Sequence, residues 1–330
     1  MKIITLEEHY ADPAITAATP VPPGAGNVHS RGDLDPSVEL SYLPDPARLL
    51  DLGEGRIADM DANGISMQIL SSLTTTQLPP EVAVDLVRAT NDTLAAAVRR
   101  HPDRFAGFAA LPTTVPEAAA DELSRGVEEL GFVGTLIMGR TGGDFLSAPR
   151  FEPILARAAA LGVPLYLHPG VPPLATREEN YGGLDPLVST RFGTTAWGWH
   201  SETGVHFVHL VLSGVLDRYP DLQIILGHWG EMVPFFIERI DEALPRAATG
   251  LERTFGEYMR QNVYVTPSGM FTQANLRYCV DMLGVDRIMY SVDYPFVGNE
   301  GAAAFLEKSD LSPQDRERIA HGTAEKLFGL

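Results

Sequence analysis

Cysteine is almost missing: Cys279 stands alone in 330 residues, so no intrachain disulfide can form and the chain suits a reducing compartment. It sits in the apolar stretch 276–283, where a buried packing thiol is expected. Positive charge is scarce as well. Lys and Arg total 25 against 43 Asp and Glu, a formal charge of −18, with no basic cluster to offset it. Nucleic acid and anionic membrane are therefore not expected partners. An anionic substrate would need a locally positive site, such as a metal ion. No apolar run approaches the ~20 residues of a membrane span, and the first residues read as a short strand followed by acids, not as a secretory signal. A cytoplasmic protein is the expectation. No repeat, linker or low-complexity run divides the chain, and no glycine-rich phosphate turn follows the first strand-like run.

What is present is a large apolar inventory. At 45% hydrophobic the chain can bury an extensive core, and its length suits two ordinary domains or one α/β barrel with insertions. Strand-like runs occupy 2–9, 66–73, 105–111, 133–138, 164–168, a sixth from Gln223, 262–267 and 287–292. Helical periodicity falls between them at 55–64, 81–100, 116–130, 151–161, 201–212, 234–243 and 272–283, with 302–308 and 313–327 closing the chain. Eight alternations predict a single (β/α)8 TIM barrel over 1–330 with long βα-loop insertions; a doubly wound open sheet is the alternative. Two segments without periodicity, 12–52 and 169–199, read as pocket walls, the first as a lid or subunit contact.

Polar residues gather where strands end, the face on which barrels carry chemistry. Glu7 and His9 are two apart on the first strand and point to one side of it, with Glu8 pointing the other way. His168 ends the fifth strand, and Asp293 ends the eighth just before Pro295. Two imidazoles and two carboxylates suit one divalent ion, manganese or zinc, with room for water or substrate. Singly, each has a plainer reading as a solvated strand end or a satisfied core histidine. His228 lies in Gly227-His-Trp-Gly-Glu231, where Glu231 can hold its second ring nitrogen and set its tautomer. His29, His101 and His200 read as loop residues, His206 and His209 share one helix, and His321 is near the C-terminus. Tyr10, Trp197, Trp229, Tyr294 and Phe296 could face a flat ring, although aromatics beside strand ends usually just pack. Arg56 could meet a carboxylate, although an arginine opening a helix is usually solvated.

The motifs Leu6-Glu-Glu-His9, 56–65 (RIADMDANGI), Tyr166-Leu-His-Pro169, 213–220 (SGVLDRYP), Gly227-His-Trp-Gly-Glu231 and Ser291-Val-Asp-Tyr-Pro-Phe296 span essentially the whole chain. With them the sequence resembles the amidohydrolase superfamily. The likeness is to the branch of the ortho-hydroxybenzoate and aminocarboxymuconate semialdehyde decarboxylases, and within it to the 2,3-dihydroxybenzoate and γ-resorcylate enzymes. Glu-x-His at the first strand marks that branch. The resemblance implies one divalent metal held by Glu7, His9, His168 and Asp293, with His228 and Glu231 behind them, and a homodimer or homotetramer. Two positions depart from it: Thr323 stands where relatives usually carry Asn, and His209 where many carry Arg.

The expected activity is metal-dependent, non-oxidative decarboxylation of an ortho-hydroxylated aromatic acid. Direct loss of carbon dioxide would leave an aryl carbanion, so the ring carbon has to be protonated first, with Asp293 as the acid and His228 and Glu231 handling protons. The alternative is a metal-dependent hydrolase of a lactone or amide on the same ligands, and a non-catalytic scaffold is the third class.

Overall fold

The computed structural model describes residues 1–20, 37 and 42–330. Its strands are β1 (Ile4–Tyr10), β2 (Met67–Ser72), β3 (Phe105–Gly107), β4 (Thr135–Met138), β5 (Leu165–His168), β6 (Ile224–Leu226) and β7 (Val263–Val265). They pair in chain order as β1-β2-β3 and β4-β5-β6-β7, all parallel. Single parallel bridges complete the circuit: Ala109 with Thr135 joins the two sheets, while Val265 with Ile288 and Leu6 with Ser291 seat an eighth segment between β7 and β1. This is the order of a (β/α)8 barrel. It lacks the switch in strand order of a doubly wound sheet.

The eighth strand, expected over 287–292, forms no continuous ladder. Its backbone is satisfied differently: the amides of Val292 and Tyr294 donate to Oε1 and Oε2 of Glu8 at 2.9 and 3.0 Å. A side chain on β1 thus does what a neighbouring strand would otherwise do.

β1 also departs from regular alternation. Ile4 and Leu6 join Met67, Ile69, Tyr166 and Ile225 inside the barrel, while Ile3 and Tyr10 belong to the outer core. Continuing that phase would turn Glu8 inward and Glu7 and His9 outward. A register shift between Leu6 and Glu8, with Glu7 as the extra residue at φ 70°, resets it. Glu7 and His9 do share a side, but a bulge puts them there.

The segments read as loops hold short helices started by capped turns. Asp12 accepts from the amides of Ala14 and Ile15 to begin Pro13–Ala18, Asp45 caps Pro46–Leu50, and Asp185 caps Pro186–Phe192; Leu174–Tyr181 is helical too. The centre of the 12–52 lid, residues 21–36 and 38–41, lies outside the described residues. The closing helix expected over 313–327 is interrupted by a π-helical turn, Arg318–Gly322. No helix among the described residues is long and apolar enough to cross a membrane.

Arg56 is neither solvated nor on the wall of the active-site cavity. Its guanidinium is fully buried and donates to the carbonyls of His9 (2.6 Å), Asp51 (2.8 Å) and Arg48 (3.3 Å) and to Gln68 Oε1 (3.2 Å), over the Tyr294 ring. It clamps the end of β1. Replacing Arg56 with Met should cost about 3 kcal/mol, because several buried acceptors lose their donor together. Urea unfolding checks this, and an unshifted midpoint would contradict the clamp.

Candidate active site

Backbone strain is concentrated at the strand ends. Glu7, His228, Glu231 and Asp293 have φ of 70°, 47°, 53° and 67°, a left-handed region that costs a residue with a Cβ roughly 1–3 kcal/mol. Four of the six residues singled out for chemistry are therefore held in conformations that local preference opposes. Surrounding contacts enforce them. Behind His228, a Cβ on Gly227 would lie 2.7 Å from Ser268 Oγ, 2.8 Å from Glu7 Oε1 and 2.8 Å from the Tyr166 hydroxyl, so only glycine fits.

Ligand atoms of Glu7, His9, His168 and Asp293 lie within 4.8 Å of one another, and all four residues are buried. His9 Nε2 is 3.2 Å from Asp293 Oδ1, and His168 Nε2 is 3.4 Å from Glu7 Oε1. Glu7 Oε1, His9 Nε2 and His168 Nε2 have no hydrogen-bond partner among the described residues. Their opposite atoms are all engaged. Glu7 Oε2 accepts from Tyr166 and Ser268, His9 Nδ1 meets Ser71 Oγ at 3.0 Å, and His168 Nδ1 donates to the Pro169 carbonyl at 2.8 Å. Three orphaned buried atoms aimed at one point, each costing about 1–3 kcal/mol if left unpaired, fit a cation. The donor set, two nitrogens and two carboxylates, fits a divalent transition metal.

Charge follows the same logic. Burial pushes the Glu7 carboxyl up to about 8 and the His168 imidazole down to about 3. A cation between them favours both the carboxylate and the neutral imidazole that ligation requires. For Asp293 burial again opposes ionisation, but His228 and His9 outweigh it and hold the acid at about 2.

Beyond these four residues a line of polar groups runs outward. His228 Nε2 is 3.8 Å from Asp293 Oδ2, and His228 Nδ1 is 2.8 Å from Glu231 Oε1. Burial disfavours a charged His228, yet Glu231, Glu7 and Asp293 raise its pKa well above the ordinary value. Glu231 Oε2 is in turn 2.8 Å from His200 Nδ1. His200 is no loop residue: it lies in the helix Gly198–Leu212 and reaches into the site. Nothing in its local pattern marks it; only the need of Glu231 for a partner on its second oxygen could have pointed there.

A cavity of about 860 Å³ opens over this cluster, lined among others by Tyr42, Met138, His168, His228, Asp293 and Phe296. Thr16, Thr19 and Pro20 also line it, so the described edges of the 12–52 segment do form pocket wall. Trp197 is half exposed and is not on this lining, where Trp199 stands instead. Tyr10 is buried elsewhere, its hydroxyl 3.3 Å from the Thr90 carbonyl. Trp229 is buried and donates to Met270 O at 2.7 Å, and Cys279 packs beneath it as the expected inert thiol. Arg140, just past β4, is a lining cation that sequence reasoning missed; it pairs with Glu202 and lies 3.8 Å over the Phe145 ring.

A barrel with such a cluster at its strand mouths defines a metal-dependent enzyme of the amidohydrolase type, and the chain belongs to that family: the amidohydrolase family model matches residues 51–330. It is 38% identical to the γ-resorcylate decarboxylase of Rhodococcus jostii, over 99% of this chain and 98% of that one. It is 37% identical to the decarboxylase orsB of Emericella nidulans, over 99% and 96%. In three dimensions it is similar to the dihydroxybenzoic acid decarboxylase of Polaromonas, solved with bound manganese and the inhibitor 2-nitroresorcinol. That match has a TM-score of 0.84 and 34% identity, covering 100% of this chain and 97% of that one.

Protein purified without chelator should contain about one equivalent of divalent metal by elemental analysis. His168→Ala should lower the metal affinity by 10-fold or more, about the scale on which even outlying partners of a metal site act. A wild-type protein without metal, or a variant with undiminished affinity, would contradict the ligand assignment.

Proposed function

We propose that the protein is a non-oxidative decarboxylase of an ortho-hydroxylated aromatic acid, working with a single divalent ion, manganese, held by Glu7, His9, His168 and Asp293. The observation that carries this is the convergence of three orphaned donors beside Asp293 at the floor of a largely apolar cavity. Similarity to hydroxybenzoate decarboxylases favours decarboxylation over the hydrolase alternative, and manganese in the Polaromonas structure favours that metal over zinc. The chemistry such an ion supplies when bound is Lewis acidity toward a carboxylate and its neighbouring phenol oxygen.

The protein's groups do the rest. Asp293 stands both in the ligand cluster and on the cavity wall, so it can reach the face of a ring held there. Held ionised at rest, it accepts the phenol proton as the substrate settles, and then gives that proton to the ring carbon bearing the carboxylate. A carbon–hydrogen bond forms and the ring becomes a ketone-like diene. The bond to the carboxylate then breaks, its electron pair restores aromaticity, and carbon dioxide leaves. The phenolate product is neutralised by a proton relayed through His228, which Glu231 keeps oriented. Phe296 and Trp199 bound the space left for a flat ring.

Residues 1–330 act as one barrel unit in this reading, since Glu7 and His9 precede the family match yet complete its site. A homodimer or homotetramer is supported by Phe235 and Phe236, adjacent aromatics 73% and 53% exposed. The lone buried Cys279 suits the cytoplasm.

Asp293→Asn keeps an oxygen ligand but cannot carry the proton, so it should retain metal while losing at least ~10²-fold in kcat. In deuterium oxide the product should gain one deuterium at the carbon that lost its carboxylate. Carbon dioxide release from a panel of hydroxybenzoates tests the assignment. Cleavage of lactones or amides, with no hydroxybenzoate consumed, would replace it with the hydrolase.

A further inference from the structure

His200, Glu231 and His228 bring three ligand-type atoms within 4.8 Å, a grouping that could be taken for a second metal site. Their contacts argue otherwise. Each oxygen of Glu231 already meets one imidazole at hydrogen-bond distance: Oε1 lies 2.8 Å from His228 Nδ1 and Oε2 lies 2.8 Å from His200 Nδ1. The donors face one another across the carboxylate instead of facing a common centre.

His200 is fixed at both ends. Its Nε2 lies 3.1 Å from the carbonyl oxygen of Thr195 and its Nδ1 2.8 Å from Glu231 Oε2. An ionised Glu231 can only accept, so each of its two oxygens needs a donor. Burial disfavours that ionised state, but His228 and His200 together keep the Glu231 pKa below its ordinary value. The ring also comes from a different element, the helix Gly198–Leu212, whereas Glu231 and His228 share the strained turn after β6. That helix packs against the turn so closely that a Cβ on Gly204 would lie 2.8 Å from the Glu231 carbonyl.

We propose that His200 is a positioning residue that locks the carboxylate of Glu231, and through it the ring of His228, for the decarboxylation proposed above, on which its kinetic consequence rests. Without His200 the buried carboxylate has one unpartnered oxygen and can rotate, and the His228 Nδ1–H loses a fixed acceptor. His228 Nε2 then no longer keeps its place opposite Asp293.

The test compares His200→Ala, His200→Phe and His200→Asn with wild type, each metal-loaded. Asn can still donate an N–H toward Glu231 Oε2, whereas Phe restores ring volume without a donor. His200→Ala and His200→Phe should lose about 10-fold or more in kcat with KM changed less than about twofold, and His200→Asn should recover most of the loss. A second readout needs no turnover. In zinc-loaded, ¹⁵N-histidine-labelled protein, the His228 Nδ1–H resonance, assigned by its absence in His228→Gln, should be sharp in wild type and His200→Asn and lost to solvent exchange in the other two. Rescue of kcat by Phe, or a His228 signal unchanged in His200→Ala, would overturn the proposal. If wild type consumes no hydroxybenzoate, the decarboxylase assignment falls, and the resonance still decides whether His200 locks the pair.

Discussion

A carboxylate removed from water needs partners for both oxygens, and Glu7 has them on one side only. Oε2 is held by Tyr166 from β5 and by Ser268 from beyond β7, while Oε1 is left facing two imidazoles and a second acid. Much of the barrel mouth follows from that asymmetry. The bulge in β1 turns Glu7 inward, Gly227 leaves room for its oxygens, and Ser268 both donates to it and accepts from the amide of His228. One side chain thereby ties three strand ends to the candidate metal cluster.

The acid next to it has a complementary task. Glu8 points away from the cavity and pairs with two amides flanking Asp293, while the carbonyl of Tyr294 accepts from the amide of His9 at 2.6 Å. Arg56 takes the His9 carbonyl from behind. Glu7 and His9 of β1 and Asp293 of the eighth segment are thus set relative to each other by contacts that need no metal, which is the preorganisation an active site requires.

The barrel was legible because its signal is repetitive: apolar runs, helical spacing and strand-end polar residues recur around the ring, so a misplaced boundary costs little. That Glu7, His9, His168 and Asp293 come together in space was legible for a similar reason, since each lies near the end of a strand-like run. Alternation placed Glu7 and His9 together correctly but for the wrong reason, since a bulge cannot be seen in a pattern of period two. The short helices within 169–199 were hidden by the glycines and prolines around them. Arg56 and His200 were misread because their partners are backbone carbonyls or a distant carboxylate, groups that leave no trace at neighbouring positions. Trp197 and Trp199 differ only in direction, which the helix start at Gly198 decides.

The contact between β1 and the eighth segment joins residues 284 and 286 positions apart. Closing so long a loop is entropically costly and slow compared with forming any helix along the way. During synthesis, Glu7 and His9 emerge early and wait while nearly the whole chain is made before Asp293 follows. Until it does, the chain holds only part of the cluster of Glu7, His9, His168 and Asp293, which is whole only once the ring closes. Assembly of that four-residue cluster is thereby tied to closure of the seam where the chain meets itself.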